Sequence, residues 1–198
     1  MRVTSRARGV ARQPDDASGP ALSPAQHRLL TDPAPIRVCG APTGSGKTHA
    51  FLQAAKRGEL VLFVVPTQAL ASDIEASARN QGIPVARWDG VQSAKLRANS
   101  LEPWIERKLQ LDRLKLDGGM VVTTPETLGA ILLGRPQQQK EPQARAQLTL
   151  VDFRQARHIV FDEAHTLTER AFGFLHFWAV LVLCWHRGNP ANGPKLSL

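Results

Sequence analysis

The stretch Ala41-Pro42-Thr43-Gly44-Ser45-Gly46-Lys47-Thr48, APTGSGKT, decides how the rest of the chain is read. It follows the short apolar run Ile36-Arg37-Val38-Cys39-Gly40 and precedes a segment, Lys47 to Lys56, that reads as a helix. Strand, glycine-rich turn and helix together make a phosphate cradle. Gly44 and Gly46 let the backbone curl so that successive N–H groups face one anion, and the helix N-terminus adds its dipole. Thr43, Gly44, Ser45 and Gly46 then form the nucleotide-binding turn. Lys47 reaches the β- and γ-phosphates, and the Thr48 hydroxyl ligates Mg²⁺.

A second stretch, Asp162-Glu163-Ala164-His165 (DEAH), supplies what the first lacks. His158-Ile159-Val160-Phe161 before it is a short apolar strand. Neighbouring strands of a parallel sheet end on the same side, so these carboxylates are expected beside the phosphate turn. There Asp162 holds Mg²⁺ through water and Glu163 orients or deprotonates the attacking water. Either motif alone also reads as a surface turn; the two in this order, each closing an apolar strand, point to a nucleotide site.

The chain has 198 residues, enough for one domain with a substantial core, and its net charge of +8 favours a polyanionic partner. Two cysteines far apart, Cys39 and Cys184, both in apolar surroundings, predict buried thiols in a reducing, cytoplasmic setting. No zinc pattern is present. The apolar run Ala171 to Trp185 is broken by His176 and is short for a membrane span, so no membrane role is expected.

Outward from the two motifs, residues 1–20 carry Arg2, Arg6, Arg8 and Arg12 with few large apolar residues, and are expected to be a disordered basic arm, a solvated tail or one that touches phosphates. Leu22 to Leu30 reads as a short helix with Ser23 as N-cap and Pro24 in its first turn. Gln26 within it either pairs with the edge of adenine or is an exposed helix glutamine. Glu59 to Val65 is a near-continuous apolar strand, as expected where helices cover both sheet faces. It leads through Pro66 and Thr67 into a helix ending near Asn80. Ile83 to Trp88 is a strand candidate, and Ala94 to Leu116 reads as one amphipathic helix whose basic flank either tracks a nucleic-acid backbone or is simply a wet face. Gly119 to Thr123 is a strand, and Thr124 to Gly134 opens and closes a helix. Residues 135–147, polar and Gln-rich, read as a surface loop. Thr168 to Trp185 reads as a helix apolar almost all round, predicting core burial on every side or a partner surface. Lys195 to Leu198 is a sixth strand candidate. Strands and helices alternate, which predicts an α/β fold, a doubly wound parallel sheet with helices on both faces.

These motifs resemble those of the first RecA-like domain of superfamily 2 helicases of the DEAH/DEAD-box type. APTGSGKT is similar to their motif I, with Ala41 in place of the first glycine of the general pattern. Pro66-Thr67-Gln68-Ala69-Leu70 resembles motif Ia, although the family often has a basic and an acidic residue where Gln68 and Ala69 stand. Thr123 to Leu128 resembles motif Ib and DEAH is motif II. Pro24-Ala25-Gln26 is similar to the core of the adenine-reading Q motif, with no aromatic residue preceding it. The segment from DEAH to Leu175, followed by KLSL, is similar to CRISPR-associated helicase-nucleases, whose nuclease part needs a His-Asp metal cluster; no His-Asp dipeptide occurs here.

The resemblance implies a RecA-like domain, P-loop NTPase in type, over residues 21–198, with 95–117 and 135–147 as insertions. It implies ATP and Mg²⁺ as cofactors, a catalytic set of Lys47, Glu163 and His165, metal binding at Thr48 and Asp162, and a nucleotide site at Gln26 and residues 43–48. His165 would couple the nucleotide state to the rest of the motor. Pro66, Thr67, Thr124 and Pro125 would lie along a strand of DNA or RNA, touching phosphates rather than bases. In the family a Ser/Thr-Ala-Thr motif and a second RecA-like domain with arginine fingers follow. The sequence given ends before them, so the expectation is the ATP-binding half of a motor that needs a second domain or partner subunit to unwind. The rival readings are a P-loop nucleotide kinase, which needs a lid and an acceptor pocket, a transporter-type ATPase, whose LSGGQ-like signature is absent, and a non-catalytic basic P-loop module that binds nucleic acid whether or not ATP is present.

Overall fold

The structure is a computed structural model that describes residues 22–40, 46–133, 148–166, 169–190 and 193–198. The basic arm 1–20, the polar loop 135–147 and the turn residues Thr43, Gly44 and Ser45 lie outside the described residues.

Strand β2 (Leu60–Val64) shows how the core is built. Its five residues are all buried, and side chains alternate between the two faces of a strand. Leu60, Leu62 and Val64 enter one hydrophobic cluster, while Val61, Phe63 and the following Val65 enter another. A strand covered on both sides must be apolar throughout, which is why Glu59 to Val65 reads as a continuous run. Five more strands share the sheet: β1 (Ile36–Arg37), β3 (Val85–Trp88), β4 (Gly119–Thr123), β5 (His158–Phe161) and β6 (Lys195–Ser197). The order is β1-β6-β5-β2-β4-β3, and all neighbours are parallel. This is the doubly wound α/β architecture expected.

Helices α2 (Lys47–Lys56) and α3 (Gln68–Asn80) cover one face, burying Phe51, Ala54, Ala55, Ile74 and Ala78 against Val61, Phe63 and Val122. The other face takes α5 (Pro103–Asp117) and α7 (Glu169–Gly188). Trp178 of α7 is fully buried, its ring centroid 6.0 to 6.5 Å from those of Phe153, Phe161, Phe174, Phe177 and Trp185. All but the tilted Phe161–Trp178 contact are edge-to-face, and such pairs each add about 0.5–1.5 kcal/mol to the area they bury.

Three expectations are corrected. Ala94 to Leu116 is two helices, α4 (Gly90–Ala98) and α5: Ser100 sits at φ +57°, and Pro103 opens the second helix because proline is disfavoured inside one. Helix α7 is buried on one side only. Trp178 and Val182 face the sheet, but Val180 is 49% and Leu183 46% exposed. A helix lying on a sheet has one face toward it, and apolar composition does not create a second covering layer. The thiols are not buried either: Cys184 is exposed and Cys39 half-buried, both free. No described helix is long and apolar enough to cross a membrane. Two further helices, α1 (Pro24–Thr31) and α6 (Pro125–Leu133), complete the set among the described residues.

The basic flank of α5 is partly consumed inside the protein. Lys108 and Lys115 donate to Asp152 at 2.7 and 2.9 Å and tie α5 to the 3-10 turn Leu150–Gln155, while Arg107 donates to Ser93 of α4. Burial pushes the Asp152 carboxyl up, but hydrogen bonds from Lys108, the Thr149 N–H and Lys115 outweigh it and hold the group well below the usual carboxylate range. A carboxyl depressed in the fold contributes stability above its unfolded value, lost as pH falls through the folded one. Asp152→Asn is expected to cost about 1–3 kcal/mol at pH 7. In urea titrations the gap to wild type should shrink below about pH 4. A separate comparison tests the backbone. Gly118 has φ +75°, and a Cβ there would stand 2.3 Å from the Gly58 backbone, whereas Gly173 in α7 has open space around it. By thermal melting, Gly118→Ala should destabilise by at least about 2 kcal/mol, and Gly173→Ala should stabilise by about 0.5–1 kcal/mol.

Candidate nucleotide site

The parallel register puts the functional segments on one edge. Val64 pairs with both Thr123 and Phe161, and Trp88 pairs with Thr123. The strands β2, β3, β4 and β5 therefore end level, and Pro66-Thr67, Asp89-Gly90, Thr124-Pro125 and Asp162-Glu163 all leave the sheet at its C-terminal edge. β1 and β6 end there too, joined by the Cys39 N–H donating to the Leu198 carbonyl at 2.8 Å. β6 stands between β1 and β5, a placement that strand-by-strand reading of the sequence does not give.

Helix α2 begins at Gly46, which adopts φ +79°. That left-handed turn suits glycine, and glycine has no side chain with which to cap the first N–H groups of the helix. No acidic side chain lies in the first turn either, so the positive end of the dipole faces the cavity with Lys47 at its start. Thr48, half-buried, follows one residue further along.

Across the end of β6, the Asp162 N–H donates to the Val64 carbonyl at 2.9 Å, which fixes the end of β5. Glu163 then turns the chain at φ +52°. Burial pushes the Asp162 carboxyl up. The positive charge of Lys47 pulls it down and the neighbouring Glu163 pushes it up again. His165 Nδ1 stands 3.4 Å from Glu163 Oε2 on an exposed ring. Lys47, Asp162, Glu163 and His165 line one cavity of about 540 Å³, whose floor is apolar: Phe51, Phe63, Phe161 and Leu175. Gln26 and Thr48 do not line it.

Gln26 is half-buried near the start of α1. Its Oε1 accepts from the Ser23 N–H at 2.8 Å as part of a capping box, and its Nε2 donates to the Gly46 carbonyl at 2.9 Å. It thus holds the turn before Lys47. The Gln26–Gly46 contact and the cavity residues Val38, Ser197 and Leu198 escape sequence reading. A capping box is visible locally as Ser-x-x-Gln, but its second partner twenty residues on is not.

The four residues assigned to nucleic acid lie farther along the same edge. Thr67 is exposed and caps α3, its hydroxyl accepting from the Leu70 N–H. Pro66 is half-buried. Thr124 and Pro125 are buried, and the Thr124 hydroxyl engages Thr127. What this edge offers at β4 is therefore the start of α6 rather than those two side chains.

None of the curated proteins compared with the chain matches it significantly. Solved structures similar to it include the DUF1998 helicase MrfA bound to DNA and AMPPNP, at 22% identity and a TM-score of 0.55, covering 90% of this chain and 24% of that one. A hypothetical ATP-dependent RNA helicase from Sulfolobus tokodaii aligns at 20% identity and a TM-score of 0.47, over 87% of this chain and 43% of that one. The DEAD-box helicase Mss116, bound to ssRNA and UDP-BeF, aligns at 21% and 0.48, over 90% and 35%. The chain spans less than half the length of these proteins, and at 22% identity the likeness to MrfA carries the RecA-like fold alone. A family model described as DEAD/DEAH box helicase matches residues 25–181, most of the chain, and the chain belongs to that family.

Proposed function

We propose that the chain is the Mg-ATP-binding motor domain of a nucleic-acid helicase or translocase. The observation that carries this reading is the meeting of Lys47 and Asp162 around one cavity, close enough for the ammonium to act on the carboxyl. Membership of the DEAD/DEAH family supports it.

The residues present suit Mg²⁺. Asp162 lines the cavity and Thr48 follows Lys47 at the start of α2, and each offers a hard oxygen donor. Mg²⁺ characteristically takes one or two protein oxygens and completes its shell with water and substrate phosphates, so a sparse donor set fits it. Burial pushes the Asp162 carboxyl up, so a cation beside it would favour its charged form. Held by Thr48 and Asp162, the ion would supply positive charge that offsets the charge of the nucleotide phosphates.

The protein groups divide the work. The turn at Gly46 and the start of α2 seat the phosphates, Lys47 neutralises them, and Thr48 and Asp162 hold the metal. Glu163 orients the attacking water and accepts its proton. His165, on the exposed side of Glu163, reports the state of that carboxylate to whatever docks on this edge. The nucleic-acid strand rests farther along, its phosphates at the starts of α3 and α6, where helix N-termini bind anions without reading bases. Strand separation and fast turnover belong to an assembly in which a second RecA-like domain supplies an arginine, a group that raises phosphoryl-transfer rates by about 10³–10⁵.

Mg-ATP titration by calorimetry tests this reading. Lys47→Ala is expected to weaken binding at least about tenfold, the cost of a lost charge-assisted contact, while Glu163→Gln should still bind. Equal affinity in wild type and Lys47→Ala would leave a basic module that binds nucleic acid independently of nucleotide.

A further inference from the structure

Helix α1 is held in place by its ends. It has eight residues and no fully buried side chain, with Leu29 and Leu30 only partly packed against the core. A helix this short is not stable in water alone, so its position depends on what it is tied to. At the N-terminal end the tie is Gln26, whose Nε2 donates to the Gly46 carbonyl. The fit there is close: a Cβ on Gly46 would meet that nitrogen at 2.1 Å.

At the other end two cations from the sheet take the terminal carbonyls. Arg37 of β1 donates through Nη1 to the Leu29 carbonyl, and Lys195 of β6 donates through Nζ to the Asp32 carbonyl at 2.7 Å. Carbonyls at a helix C-terminus carry partial negative charge, which is where cations belong. Both residues are nonetheless 6% exposed, and around them stand Asp32 and Glu59 against a further cation, Arg157. Burial draws the Arg37 guanidinium down to about 10 and the Lys195 ammonium below its ordinary value. Arg37 Nε and Nη2 find no acceptor among the described residues. Burying two cations costs desolvation, which their hydrogen bonds to the terminal carbonyls offset. What they provide is direction: they fix where α1 ends, and hence where Gln26 reaches.

We propose that Arg37 and Lys195 are positioning residues for the nucleotide phosphates, clamping α1 to the sheet so that Gln26 holds the left-handed turn before Lys47. This rests on the nucleotide reading of the site given above. Lys195 is well placed for the task. Its strand lies between the strand that leads to the phosphate turn and the strand that carries Asp162, so one clamp refers the turn to both.

The test is a double-mutant cycle on the full chain, reading Mg-ATP affinity and melting temperature together. Gln26→Ala and Lys195→Met are each expected to weaken Mg-ATP binding at least about twofold, the lower end of coupling within one hydrogen-bonded network. Their losses should not add, because either change releases the same helix. Lys195→Arg should restore affinity. A readout free of substitutions comes from amide exchange over residues 24–31 of wild type, which Mg-ATP should slow, since coupling of affinities is reciprocal. Unchanged affinity in folded variants, strictly additive losses, or exchange indifferent to Mg-ATP overturns the clamp while leaving the nucleotide reading intact. Absence of Mg-ATP binding by wild type overturns that reading first, and the clamp with it.

Discussion

The parallel ladder is the constraint on which the rest depends. Once Leu60 pairs with Gly119 and Val61 with His158, the evenly spaced hydrogen bonds leave Val64, Thr123 and Phe161 in one row. A slip of one residue would move every buried side chain of β2 to the opposite face and exchange the two hydrophobic clusters. Register is thus enforced by packing on both faces, and the position of Asp162 follows from it. The acid sits where it does because Phe161 and Ile159 must face the cluster around Trp178 while Val160 faces the one around Phe63.

That dependence explains what was legible in the chain and what was not. Strands β2, β4 and β5 are buried on both sides, so their sequences carry an unbroken apolar signal bounded by Pro, Gly or acidic residues. The turn at Gly46 and the acids at 162 and 163 are local motifs and can be read locally. The order of strands is a property of long-range pairing. Lys195 to Leu198 reads as a strand, but nothing in those residues says that it separates β1 from β5. For the same reason the apolar floor of the cavity, drawn from four elements, has no sequence signature. Gln26 shows the limit most clearly: its residue type was noticed, and its partner, the Gly46 carbonyl, has no side chain to notice.

The expectation that α7 is buried on every side fails for a different reason. Composition reports how apolar a segment is, and burial depends on how much surface its neighbours present. Twenty residues rich in Phe, Trp, Leu and Val lie on a sheet that reaches them from one side, so Trp178 and Val182 are buried while Leu183 and Cys184 face outward. The basic flank of α4 and α5 shows the opposite, and only in part: Lys95, Arg97 and Arg113 stay exposed. A mix of Lys and Arg with Leu suggested a wet basic face, yet Lys108 and Lys115 turn inward to Asp152. A charge in a sequence does not say whether its partner is solvent, ligand or another residue of the same chain.

The two edges of the sheet treat charge differently, and the contrast bears on how the domain works. At the C-terminal edge Lys47, Asp162 and Glu163 line one cavity. At the N-terminal edge charges are turned into the protein. His158, at the start of β5, is 1% exposed, and its Nε2 lies 2.8 Å from Glu59 Oε2 at the entry to β2. Burial pushes the imidazole down despite the carboxylate beside it, while the hydrogen bond from His158 pulls the Glu59 carboxyl down. Near neutral pH the contact is therefore an N–H donated by a neutral ring to a carboxylate. That tautomer leaves Nδ1 as a bare acceptor, in keeping with its having no partner among the described residues. Protonating the ring would add a buried N–H with nothing to receive it, so the tie between β2 and β5 holds its charge state as pH varies around neutrality. A fixed N-terminal edge of this kind gives the opposite edge a stable reference. The groups that meet the ligand can then respond to it without disturbing the register that brought them together.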